Sequence, residues 1–129
     1  MIEAYSHDRH YAMLGDWLRA RGITIPPPRL FSDHGYCVDR TAIGFLFRHP
    51  NCGQAFIDNI AANPEATPGE RDVALDTLLR QLAADARHAG CEAITILGNL
   101  PAMKRRFEKL GYRAHGDYTL YVQHFSGRS

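Results

Sequence analysis

Hydrophobic and polar positions change period several times along the chain, and each change marks an element. Residues 2–5 read as a short strand. Tyr11, Leu14, Trp17 and Leu18 then recur at helical spacing, predicting an amphipathic helix over residues 8–21. Ser6 or Asp8 is its cap and Gly22 stands just past its end. Pro26-Pro27-Pro28 predicts an extended connector with no long helix before Gly35. Strands follow at residues 35–38 and 42–47, joined through Asp39-Arg40-Thr41 as a hairpin, with Ile43, Phe45 and Phe47 alternating along the second. His49-Pro50-Asn51-Cys52-Gly53 turns the chain into a third antiparallel strand over residues 54–61.

Residues 54–82 organise the rest. After the strand, a turn-rich loop ends at Thr67, followed by Pro68 and, at the third helical position, Glu70. This is a capping box with proline where its missing N–H costs nothing. The helix predicted from Pro68 to Ala89 buries Val73, Leu75, Leu78, Leu79, Leu82 and Ala86, and Gly90 stops it. Residues 91–97 read as a buried strand, so strand, helix and strand form a parallel crossover. Pro101 opens a short helix in which Met103, Phe107 and Leu110 share a face, and Gly111 closes it. A last strand is predicted at residues 118–125, with frayed residues 126–129. The order is β-α-β-β-β-α-β-α-β, an α/β chain with a mixed sheet and one domain over residues 1–129. A doubly wound nucleotide fold would alternate strand and helix throughout.

Composition narrows the function classes. The 129 residues carry a formal net charge of +1 and 22% charged residues, which gives no general electrostatic case for nucleic acid or an anionic membrane. No apolar run reaches the length of a membrane span, and the N-terminus has no signal-peptide pattern. Three cysteines argue against a complete disulfide framework, so reduced thiols in a cytoplasm are expected.

The junction between residue 62 and the helix at Pro68 is the first chemical candidate. First-turn amides and the positive helix end suit a phosphate, and Arg71 adds a guanidinium beside them. His34-x-x-Cys37 and His49-x-x-Cys52 together could form a tetrahedral zinc set. Cys37 falls inside a strand, where a ligand knuckle is awkward, and no metal is expected. His7-x-x-His10 reads as an exposed helix start, Lys104-Arg105-Arg106 as a solvated face, and Cys91 as a small buried residue.

The element order and the residues at its joints resemble the GNAT-type N-acetyltransferases, and look most like their short, phage-encoded or prophage-type members. The resemblance covers roughly residues 1–125. It is carried by Trp17 and Gly22, Leu30…Gly35, Ala42-Ile43-Gly44-Phe45-Leu46, Asn63-Pro64-Glu65-Ala66, Arg71 with Ala74-Leu75, and Phe107-Glu108-Lys109-Leu110-Gly111-Tyr112. It implies acetyl-CoA as cofactor, an amine of a small molecule or protein as acceptor, and a monomer or homodimer without nucleic acid or membrane partners. It also implies that the strands flanking the crossover splay. The pantetheine arm would bond the backbone at Ile60, Ala61 and Ala62, with the pyrophosphate on Arg71, Asp72, Val73 and Ala74.

The chain departs from the family pattern in several places. Ala74 and Asp76 replace small residues of the phosphate loop. Asn99 lies one residue upstream of the family's asparagine. Phe107 stands where many relatives carry a tyrosine that protonates the leaving thiolate. Asp58, on the strand before the cofactor loop, is the leading candidate for the base. Tyr112, Tyr118 or water could replace the lost acid; Tyr118 is also a fallback base with His34 and His115. The competing expectation, supported by Phe107, Ala74 and Asp76, is a catalytically silent relative that keeps the scaffold as a binding module.

Overall fold

The computed structural model describes residues 1–97, 101–116, 121–123 and 125, which fall into two compact units, residues 1–96 and 97–129. In the first unit, β1 (Ile2–Ala4), β2 (Gly35–Val38), β3 (Ala42–Arg48), β4 (Gln54–Ala62) and β5 (Ala93–Ile96) form one sheet in that spatial order. The first three pairings are antiparallel and the last, β4 with β5, is parallel. α1 (His7–Ala20) follows β1, and α2 (Pro68–His88) is the crossover between β4 and β5. The mixed sheet and crossover agree with the sequence pattern. Between α1 and β2 there is a single 3₁₀ turn, Pro28–Leu30.

α1 lays Leu14, Trp17 and Leu18 against Cys37, Ile43, Phe45 and Ala61 on one face of the sheet. It ends at the left-handed Gly22 (φ 75°), and the Ile23 N–H reaches back to the Leu18 carbonyl at 2.9 Å. His10, expected at an exposed helix start, is fully buried. Its Nδ1 accepts from the Ser6 N–H at 2.9 Å and its Nε2 bonds Glu3 at 2.8 Å, so the ring closes the helix entry onto β1.

α2 covers the other face with Ala74, Leu75, Leu78, Leu79, Leu82 and Ala86. Val73, expected in this stripe, is 66% exposed, and Ala74 takes the buried place. The steps 74, 75, 78, 79, 82 and 86 keep one face, whereas Val73 falls on the side of Thr77 and Arg80, both exposed. A residue the hydrophobic pattern passed over, Asp85, ties this helix to the sheet. It accepts from the Tyr36 hydroxyl, from His34 Nε2 at 2.7 Å and from Gln81 Nε2 at 2.8 Å.

In the second unit, α3 spans Pro101–Lys109, and the left-handed Gly111 (φ 97°) follows it. The expected last strand falls partly outside the described residues; of its described members, Tyr121, Val122 and Gln123 are in no strand and Phe125 is in a turn. Among the described residues no helix is long and apolar enough to cross a membrane.

Candidate functional site

The candidate site begins with a local irregularity in β4. Phe45 pairs with Asp58 but Ile43 pairs with Ala61, so Gly44 alone faces Asn59 and Ile60. That is a β-bulge, and Asn59 takes the left-handed conformation it needs (φ 55°). The Asp58 carboxylate accepts the Asn59 N–H at 2.8 Å and steadies the bend. Gly44 stands opposite it, where a Cβ would lie 3.0 Å from Leu78 Cδ2, a tight contact that Leu78 would have to relieve by shifting.

The bulge has two consequences. It reverses the facing of β4: Ile57, opposite Leu46, lies on the α2 face and Ala61, opposite Ile43, on the α1 face, although residues four apart on a regular strand share a face. It also coincides with the end of the parallel pairing. β5 pairs with β4 from Gln54 to Ile57, opposite Ala93 to Ile96, and β4 then continues to Ala62 without it. Among the described residues, the β5-facing main-chain groups of β4 beyond Ile57 have no ladder partner. Asp58 is the first residue past the pairing, exposed, on the sheet face of Phe45. Ile60 and Ala62 are half-buried and Ala61 is buried.

The crossover loop leads from this edge to α2, whose start is a complete capping box. Thr67 Oγ1 accepts the Glu70 N–H at 3.1 Å, and Glu70 Oε1 accepts the Thr67 N–H at 2.8 Å. Hydrogen bonds from Thr67 hold the Glu70 carboxyl below its usual range. Arg71 folds back on the loop, its Nη1 donating to the Ala66 carbonyl at 2.5 Å and the Pro64 carbonyl at 3.3 Å. Asp72 and Val73 are exposed, and Ala74 is packed into the core. Beside this first turn, an open groove of about 510 Å³ is lined by Asp39, Thr41, Gly69, Glu70, Val73 and Ala74. Its far wall is the β2–β3 turn, where Asp39 and Arg40 are both left-handed (φ 51° each).

Phe107 is half-buried in α3, its ring 5.8 Å from that of Tyr112. Asn99 and Tyr118 lie outside the described residues. The two His-x-x-Cys pairs do not converge: Cys37 packs towards α1, whereas His34 reaches Asp85 on α2, across the sheet. The metal-ligand group found among the described residues is instead Glu3, His10 and Cys37, with donor atoms within 4.8 Å of one another. Its chemistry does not suit a metal. Nδ1 of His10 accepts a main-chain N–H, which leaves the ring proton on Nε2, where a cation would have to bind. Burial also pushes the Cys37 thiol up, away from the thiolate form. Hydrogen bonding from His10 lowers the Glu3 carboxyl, so the group is a satisfied structural clasp.

No protein-family model matches the chain, and no curated protein matches its sequence. Solved structures do match over nearly its whole length. An acetyltransferase from Trypanosoma brucei is 14% identical, with 95% of this chain and 99% of that one covered and a TM-score of 0.67. A putative acetyltransferase from Agrobacterium tumefaciens is 14% identical, with 96% and 99% covered and a TM-score of 0.68. Glucosamine-6-phosphate N-acetyltransferase from Arabidopsis thaliana is 11% identical, with 97% of each chain covered and a TM-score of 0.63. At these identities the shared property is the fold.

Proposed function

We propose that this chain, which has the GNAT-type acetyltransferase fold, is an N-acetyltransferase that moves an acetyl group from acetyl-CoA to an amine of a small molecule or protein. The observation that carries the reading is the length of β4 beyond Ile57, where a bulge at Asn59 bends it and β5 no longer covers its edge. Pantetheine contains two amides, each with a donor and an acceptor, and can extend a ladder where a strand has stopped. Ile60, Ala61 and Ala62 would supply the main-chain partners.

The reaction is a direct attack. The neutral amine nitrogen adds to the thioester carbonyl, the C–N bond forms and the C–S bond breaks. The acetyl group leaves on nitrogen, and the amine's surplus proton ends on the thiolate sulfur by way of a base and an acid. Asp58 is the proposed base, supported by its place as the first residue past the β4–β5 pairing, where a thioester lying in the gap would be within reach. Tyr118 is the proposed acid, because Phe107 has no proton to give.

Thiol release from acetyl-CoA with a panel of amines tests the chemistry, and calorimetry with acetyl-CoA tests the binding. Acetyl-CoA-dependent thiol release that requires an amine is expected. Binding without release across the panel would instead indicate a silent module, and no binding at high micromolar concentration would remove the coenzyme from the reading.

A further inference from the structure

The crossover junction attracts attention as a phosphate cradle because helix starts carry unused N–H groups. Followed one by one, the main-chain donors of residues 63–71 are almost all engaged within the chain. The Asn63 N–H donates to the Thr41 carbonyl at 2.7 Å, and the Ala66 N–H to the Asn63 carbonyl at 3.2 Å. The Glu65 N–H donates to Asn63 Oδ1 at 2.9 Å. Those of Thr67 and Glu70 are exchanged in the capping box. The Arg71 N–H donates to the Thr67 carbonyl at 3.0 Å. Pro64 and Pro68 have none. From Asp72 onward the amides lie inside α2, where each donates one turn back. Gly69 is left as the open donor of this segment among the described residues.

The side chains point the same way. Arg71, the cation of the segment, spends Nη1 on the Ala66 and Pro64 carbonyls. Beside that guanidinium the first turn carries Glu70, whose carboxylate is held in the capping box. The groove at the first turn is walled by Glu70 and by Asp39, whose carboxylate pairs with the Met1 amino group. A diphosphate entering here meets the Glu70 carboxylate and must displace the hydrogen bonds of the capping box. Among the described residues, the β5-facing groups of β4 beyond Ile57 carry no ladder bond that a pantetheine arm would have to displace.

We infer that this chain reads its acyl donor through the pantetheine arm and leaves the nucleotide diphosphate in solvent, so that a pantetheine thioester serves whether it is free, nucleotide-bound or mounted on a carrier protein. The inference rests on the acyl-transfer reading and narrows its donor to the pantetheine portion. The step itself is unchanged: C–N forms, C–S breaks, and the released species is the pantetheine thiol of whichever donor was used.

The test compares acetyl-pantetheine, acetyl-CoA and an acetylated phosphopantetheine carrier protein in the thiol-release assay, and pantetheine with CoA by calorimetry. Values of kcat/KM for acetyl-pantetheine and acetyl-CoA within about tenfold of each other, and similar Kd values for pantetheine and CoA, are expected. A diphosphate held by two charge-assisted hydrogen bonds would favour the nucleotide donor by about a hundredfold or more, and that result would overturn the inference while leaving acyl transfer intact. A carrier protein that surpasses both free donors supports the inference and identifies the mounting. Binding of neither pantetheine nor CoA, with no thiol release from any donor, overturns it together with acyl transfer. If the chain binds but does not turn over, the ratio of the two Kd values decides alone.

Discussion

Asp58 and Asp85 are aspartates on regular elements, and their surroundings separate them. Asp58 is exposed at the β4 divergence and accepts only its neighbour's N–H among the contacts found. Asp58→Asn keeps an oxygen for that bond and removes the base, so the bulge should survive while kcat falls about 10²–10⁴-fold. Unchanged turnover in Asp58→Asn would show that Asp58 only supports the bulge. Phe107→Tyr supplies a proton donor at a position that lacks one and should raise kcat with little change in KM. Burial of Asp85 pushes its carboxyl up, but the donors Tyr36, His34 and Gln81 outweigh this, and the net shift is downward. A carboxylate with a lowered folded pKa stabilises the fold above its ordinary value of 3.8, and that contribution is lost as pH falls through the lower folded value. Tyr36 has the opposite sign. Burial first, and then Asp85, raise its pKa from 10.0 to about 12, so its share is full below pH 10.0 and is lost as pH rises towards 12. Asp85→Ala strands the Tyr36 and His34 donors and should cost about 2 kcal/mol in urea unfolding, with a weaker acid dependence than the parent.

β4 and α2 were the elements most legible as pattern and least legible as chemistry. The turn at residues 49–53 ahead of the strand and the capping box at Thr67 both predicted their elements well, because those signals are local. Thr67→Ala should destabilise by about 1 kcal/mol, read by urea denaturation, through loss of the bond to the Glu70 N–H. The bulge was hidden because it depends on a partner strand. Nothing in Asp58-Asn59-Ile60 announces that two residues will face one, although Gly44 on the neighbouring strand is a faint sign. Gly44→Val places a branched side chain where a Cβ alone would be 3.0 Å from Leu78. It should cost about 1–3 kcal/mol by overpacking and weaken donor binding by straightening β4. The Val73 misplacement has the same origin. Periodicity defines a stripe to within one residue on a helix, and only the packed sheet chooses between Val73 and Ala74.

At the scale of the whole molecule, amide exchange should rank the fold. The slowest amides are expected where β3 meets β4 over residues 54–57 and along the buried face of α2, and the fastest at the β5-facing amides of residues 60–62. Acetyl-CoA should slow exchange at residues 60–62 selectively; no protection there on binding would place the ligand elsewhere. The chain's own pattern was enough to determine the order of helices and strands as far as α3, the parallel crossover and most of the core. Those depend on hydrophobic period, caps and turn residues, which act over a few positions. Tertiary structure decided the rest. Pairing register made the bulge, ended the β4–β5 ladder at Ile57 and buried His10 against Glu3. The fold of residues 63–71 onto Thr41 and onto each other turned an apparently open helix start into one with all its donors but the Gly69 N–H engaged. A hydrogen-bonding group in a sequence is a capacity, and what it binds is settled by whichever partner the folded chain brings within reach.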